Sequence, residues 1–170
     1  MPWAWFPEHD TALTKLKSVL SSAPVLRIYD TSLPSTLQVD ASKIGLGACL
    51  LQQDQPVTYV PRAMSSSEIN YAQIEKELLA IVYGCERFNM YKYWSETEVL
   101  SDHKPLESNF KKPLFKVHPR LQRIRLRLQK YNLKVRYVPR KVLYIAATLS
   151  RAFDQSNVPT DDDMHHDMEH

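Results

Sequence analysis

Between positions 71 and 88, seven apolar residues (Tyr71, Ile74, Leu78, Ile81, Val82, Cys85 and Phe88) recur at helical spacing. A stripe this wide makes a stable helix only when it is buried against another element. The chain just before it supplies that partner. Residues 36–41, 45–52 and 56–60 read as extended runs, the first two alternating around Leu37 and Val39 and around Leu46, Ala48 and Leu50. The short, turn-like gaps between the three suggest an antiparallel meander. Ser65, Ser66 and Ser67 precede Glu68 at the start of the long helix, with Ser67 or a neighbouring serine as its N-cap.

Further along, residues 98–101 form a fourth strand that delivers Asp102, and Pro105 supports a turn into a short helix. Residues 119–131 are helical, 133–138 alternate as a strand, and 143–151 close as a helix. Upstream, Ala12, Leu13, Leu16, Val19 and Leu20 give a leading helix over 10–20 that ends before Pro24. This order describes an α/β domain whose mixed sheet is covered by helices. With 170 residues, 44% of them hydrophobic, the chain can close one sizeable core and is too short for two. The expected division is a connector over 1–34, a domain over 35–152, and an acidic, disordered tail over 153–170.

No window approaches the ~18 apolar residues of a membrane span, and the first residues lack the basic start of a signal peptide. A soluble, intracellular, cytoplasmic protein without a membrane partner is expected. Cys49 and Cys85 each sit among apolar neighbours, which points to core packing rather than a zinc site or a disulfide. Gly45 and Gly47 could suggest a phosphate loop, but within a strand pattern they fit close backbone packing better.

The formal charge of +3 hides an asymmetry. Six of the 19 acids lie beyond Arg151, where there is no Lys or Arg, leaving 13 acids against 22 bases, or about +9, on the rest. Between positions 111 and 141 there are twelve Lys or Arg residues and no acid. On the helix expected there, Arg120, Arg123, Arg127 and Lys130 share a stripe beside Leu121, Ile124, Leu128 and Tyr131. A basic stripe is usually a solvated face; one without local acids is better read as a track for phosphates.

Asp40 and Asp102 each stand at the end of an expected strand, and carboxylates at strand ends invite a shared site. Glu75 and Glu77 lie on the long helix, and periodicity does not choose between them. For any one of these acids alone, a surface position is the ordinary expectation.

The local sequences narrow the choice. Leu-Gln-Val-Asp-Ala-Ser-Lys-Ile-Gly-Leu-Gly-Ala (37–48), Tyr-Ala-Gln-Ile-Glu-Lys-Glu-Leu-Leu-Ala-Ile-Val (71–82), Ser-Asp-His-Lys-Pro-Leu-Glu (101–107) and Ala-Ala-Thr-Leu-Ser-Arg (146–151) follow one another in order. Together they resemble the ribonuclease H region of gypsy-type LTR-retrotransposon Pol polyproteins, and several linked motifs are far more specific than one. The stretch before them, 5–26, resembles the link from the reverse transcriptase to this domain.

The resemblance implies a ribonuclease H-like fold with a five-stranded mixed sheet, and metal-dependent hydrolysis of the RNA strand of RNA–DNA hybrids. It makes Asp40, Glu77 and Asp102 the catalytic ligands of two Mg²⁺ or Mn²⁺ ions, and the reverse transcriptase domain of the same polyprotein a partner. Two ions held about 3.5–4 Å apart can activate water and neutralise the charge that develops during phosphodiester hydrolysis, and hard ions require oxygen ligands. The family's fourth acid belongs in Ala-Asp-Thr-Leu-Ser-Arg, where this chain has Ala147. The family also tends to have Pro-Gly-Lys where Pro139, Arg140 and Lys141 stand, and that turn aims the closing helix. An attenuated enzyme with a weakened second metal site follows. A catalytically inactive relic, a domesticated nucleic-acid-binding module and a structural connection domain are the alternatives. His103 is expected to support the site rather than to react.

Overall fold

In a computed structural model, residues 26–89 and 96–151, together with Pro7, are described. The leading helix and the acidic tail expected from the sequence lie outside the described residues. Three antiparallel strands come first: β1 (Ser35–Ala41), β2 (Gly45–Gln52) and β3 (Gln55–Ala63). The β2–β3 connection is a two-residue turn with positive φ at both Gln53 and Asp54, the twist that a tight hairpin needs. β3 runs past Pro61, three residues beyond the end expected from the sequence. It can do so because it is an edge strand, where a missing N–H leaves no ladder bond unmade.

The long helix is two helices. α1 (Ser66–Ile69) is capped by Ser65, whose hydroxyl accepts from the Glu68 N–H while the Glu68 carboxylate accepts from the Ser65 N–H. The chain then leaves helical geometry. Ala72 is extended, its N–H donates to the Glu75 carboxylate at 3.0 Å, and α2 (Gln73–Arg87) starts afresh. The apolar stripe survives the break: Leu78, Ile81, Val82, Cys85 and Phe88 are core, and Ile69, Tyr71 and Ile74 pack against it.

β4 (Thr97–Ser101) and β5 (Leu133–Tyr137) extend the sheet in the parallel sense, giving the order β3-β2-β1-β4-β5. Between them lie α3 (Lys104–Lys111) and α4 (Pro119–Leu126). α4 stops five residues before the end expected from the sequence. The chain through Leu128, Gln129 and Tyr131 continues in tight turns with bonds to the third preceding carbonyl. Lys130 therefore lies off the helix that was expected to carry it.

α5 (Tyr144–Ser150) closes the fold on the sheet face opposite α2. This placement explains the glycines of β2. A Cβ at Gly45 would meet the Ser150 carbonyl oxygen at 2.2 Å, and one at Gly47 would meet the Ala146 carbonyl oxygen at 2.3 Å. The two glycines let α5 lie directly on the strand, so no phosphate loop is needed to account for them. Gln38, on the same side of β1 as Asp40, reaches the Val142 carbonyl. Cys49 and Cys85 are buried and not disulfide-bonded, and burial pushes the Cys49 thiol up to about 12. Ahead of β1, residues 26–34 are tied to the hairpin: the Arg27 N–H donates to the Pro56 carbonyl, and the Gln52 side chain bonds Asp30 and Leu33.

Candidate metal centre

β1 and β4 are parallel, so their carboxyl ends lie side by side, with Gln38 level with Leu100. Two residues further along each chain come Asp40 and Asp102. Asp40 is in the central strand and 1% exposed; Asp102, just past the end of β4, is half-buried. Glu77 projects from the second turn of α2 to the same place and is 2% exposed. One carboxylate oxygen from each of the three lies within 4.8 Å of the others.

The surroundings fix these groups. The Glu77 carboxylate accepts from the Gln73 side chain at 2.9 Å, from the Ala41 N–H at 3.3 Å and from the Ser101 hydroxyl at 3.4 Å. Gln73 also donates to the Ala41 carbonyl, which ties α2 to the end of β1. From the other face of the sheet, the Ser150 hydroxyl donates to Oδ2 of Asp40. Burial, and then the charge of Asp40, push the Glu77 carboxyl up from an ordinary 4.5 to about 8. Burial and Asp40 also raise Asp102, against the opposing pull of Arg140.

Glu75 is turned elsewhere. It caps α2 and faces Arg120 at 3.4 Å, and at 6% exposed it is buried as Glu77 is. The surface position ordinarily expected for a lone glutamate holds for neither. Ala147 is 8% exposed and stands one turn before Ser150 on α5, the helix that touches Asp40. His103 lines the cleft beside Asp102, and burial lowers its pKa. The cleft, about 570 Å³, is also bordered by Ser42, Lys43, Lys76, Arg140 and Arg151.

The donor set fits a hard divalent cation. All three groups are carboxylates, they are close enough to share an ion, and the like charges that oppose one another would be offset by it.

Arg140 enters the cluster directly. Its guanidinium stands 3.5 Å from Asp40 Oδ2 and 3.8 Å from Asp102 Oδ2. Its backbone is not left-handed, so the turn does not need glycine there. The roles of Gln73, Ser101, Ser150 and Arg140 could not be read from sequence, although all four stand within or beside stretches that carried the resemblance.

Apart from Lys111, whose partner Glu107 lies on its own helix, the basic segment meets acids from other elements. Arg127 makes a bidentate pair with Glu86 at 2.8 Å, Arg120 faces Glu75, Arg136 pairs with Glu98 at 2.7 Å and Lys111 with Glu107 at 2.6 Å. Arg125 donates to the carbonyls of Asn109 and Lys112. Among the described residues, no carboxylate lies within ion-pair distance of Arg123 or Lys130.

A mixed sheet of this order, helices on both faces and acids gathered at the ends of its two central strands define a ribonuclease H-like protein. The model of the RNase H-like domain found in reverse transcriptase matches residues 5–99. The chain belongs to that family. The Pol polyprotein of the Drosophila melanogaster transposon 297 is 36% identical over 152 residues, 88% of this chain and 14% of the polyprotein. The Tf2-3 transposon polyprotein of Schizosaccharomyces pombe is 32% identical over 167 residues, 94% of this chain and 12% of that one. The chain thus spans about an eighth of the length of these curated relatives.

Solved structures share the fold. A foamy viral protease-reverse transcriptase in complex with double-stranded DNA superposes with a TM-score of 0.59 at 19% identity, over 79% of this chain and 26% of that one. The N-terminal RNase H domain of a Mycobacterium tuberculosis protein gives 0.57 at 16% identity, over 74% of this chain and 99% of that one. Among the described residues, no helix is long and apolar enough to cross a membrane.

Proposed function

We propose that this chain is the ribonuclease H domain of a gypsy-type retrotransposon Pol polyprotein, an endonuclease that hydrolyses the RNA strand of RNA–DNA hybrids and is attenuated by Ala147. The observation that carries the reading is the convergence of Asp40, Glu77 and Asp102 from two strands and a helix. Asp40, Glu77 and Asp102 are the residues that would hold Mg²⁺ or Mn²⁺. When bound, such ions lower the pKa of a water nucleophile and neutralise charge on the phosphoryl group and the departing oxygen.

The chain's own residues prepare that chemistry. Gln73 and the Ala41 N–H hold one Glu77 oxygen toward the cleft, and Ser150 holds Asp40. With no carboxylate at position 147, α5 supplies only the Ser150 hydroxyl to the cluster, and the site has three acids where the family has four. Arg120, Arg123, Arg127 and Lys130 are the proposed grip on the phosphates of the duplex. Arg123 and Lys130 carry most of it, because Arg120 and Arg127 are engaged by Glu75 and Glu86. Recognition of a hybrid by backbone and 2′-hydroxyls would give little base specificity.

Residues 35–152 are the proposed domain and 1–34 the connector to a reverse transcriptase domain, acting in the cytoplasm or a virus-like particle. A second reading, a non-catalytic nucleic-acid-binding module, is favoured by one observation: Arg140 sits against the acids that would take metal. Cleavage of a labelled RNA–DNA hybrid in Mg²⁺ and in Mn²⁺ separates the two. Slow, metal-dependent scission of the RNA strand that vanishes with Asp40→Asn supports the enzyme. Tight hybrid binding with no scission in either metal supports the module.

A further inference from the structure

The cluster that gathers three carboxylates also contains a cation of the chain's own. Arg140 follows Pro139 in the 3₁₀ turn Arg140–Val142 that leads into α5. From there it reaches Asp40 on β1 and Asp102 just past the end of β4. Asp40 is 1% exposed, so its carboxylate has little water to screen it. An arginine keeps its charge under any ordinary condition and can face two carboxylates at once with its planar fork.

We propose that Arg140 is the resident counter-cation of this cluster, balancing Asp40 and Asp102 without metal and competing with divalent ions for them. The inference rests on the reading of Asp40, Glu77 and Asp102 as a metal centre and adds a determinant of how tightly metal is held. Two features give the side chain this role. Its backbone has no left-handed conformation, so arginine sits in the turn without strain. Its side chain is half-exposed and can swing out into the cleft when a divalent ion takes the acids. Opposing it are the other cations bordering the cleft. Among them Lys76 is turned away, donating to the Lys43 carbonyl at 3.0 Å, and no ion pair joins Arg151 to the three acids.

The test uses the full chain and two readouts that need no cleavage. The first is thermal stability in EDTA for Arg140→Gly, Asp102→Asn and the double variant. Removing Arg140 should lower the melting temperature by a few degrees, and the loss should be smaller once Asp102 is neutral, the remainder belonging to Asp40, because Arg140 and Asp102 share one interaction. Arg140→Lys should restore most of it. The second readout is Mn²⁺ affinity by calorimetry. Arg140→Gly should bind Mn²⁺ about tenfold more tightly than the parent, the size of one unit charge acting on a divalent ion across a few ångströms of water-screened space, and Arg140→Lys should bind like the parent.

Additive effects of Arg140→Gly and Asp102→Asn, or equal Mn²⁺ affinity in parent and Arg140→Gly, overturn the proposal. So does a large loss of RNA–DNA hybrid affinity in Arg140→Gly with metal affinity unchanged, which would make Arg140 a phosphate contact. If the coupling holds but neither protein binds Mn²⁺, Arg140 stands as the counter-cation and it is the metal-centre reading that fails.

Discussion

The hydroxyl of Ser150 donates to the carboxylate of Asp40, joining residues 110 positions apart across the face of the sheet. It is the contact by which the closing helix takes part in the acidic cluster. Ser150 is fully buried, so the bond has no competing water. Ser150→Ala should lower stability by about 1–3 kcal/mol, the cost of leaving a buried charged acceptor short of a donor. Urea denaturation measures it, and the loss should shrink in an Asp40→Asn background.

The same helix depends on the bare backbone of β2. Gly47→Ala would place a methyl 2.3 Å from the Ala146 carbonyl oxygen and 2.7 Å from the Ser150 nitrogen, both backbone atoms that cannot step aside alone. The expected cost is about 1–3 kcal/mol of stability, with loosened Mn²⁺ binding as α5 lifts from Asp40. A stability equal to the parent's would show that α5 is not seated as described.

Glu77 sets a pH signature for the metal-free protein. Its carboxyl rises from an ordinary 4.5 to about 8 on folding, chiefly through burial. Below 4.5 folded and unfolded chains both carry the proton, and the contribution is complete. Between 4.5 and about 8 only the folded chain keeps it, so stability falls as pH rises through that window. Melting curves in EDTA from pH 5 to 8 should show this fall, and Glu77→Gln should flatten it.

For the proposed grip on nucleic acid, the ion pairs rank the arginines. Arg123→Ala should reduce the salt slope of hybrid binding by roughly one, whereas Arg127→Ala should change it less, because Glu86 already engages that guanidinium. Binding measured across a series of salt concentrations decides the order.

Much of this fold can be read from the residues themselves. The alternation in β1 and β2 and the apolar stripe through Phe88 mark the layers, because burial on one face leaves a period in the sequence. The break at Asn70 and Ala72 leaves no such mark. It is made by Glu75 capping the Ala72 N–H, a local bond that an unbroken apolar period hides. The early end of α4 is hidden in the same way.

At the site, spacing could not separate Glu75 from Glu77; only the resemblance of the surrounding segment did, and the structure turns Glu75 to Arg120. The acid-free stretch from 111 to 141 looked uncompensated because the acids that meet Arg120, Arg127 and Arg136 come from α2 and β4, which linear sequence does not bring near. Arg140 stood out as a departure in a turn, but its reach to Asp40 and Asp102 is visible only in three dimensions.

If Asp40, Glu77 and Asp102 form a ribonuclease H centre short of one carboxylate, restoring that carboxylate at position 147 should restore turnover. The measurement is cleavage of the RNA strand of a labelled hybrid by Ala147→Asp beside the parent, in Mg²⁺ and Mn²⁺. The parent should be slow or silent. The variant should cleave at least about tenfold faster, since one well-placed group is commonly worth that much or more in transition-state stabilisation, and the gain should disappear on adding Asp40→Asn or Asp102→Asn because the acids serve one cluster. A folded Ala147→Asp protein that binds the hybrid yet cleaves no faster, even when combined with Arg140→Gly, would mean that the missing carboxylate is not what limits this centre.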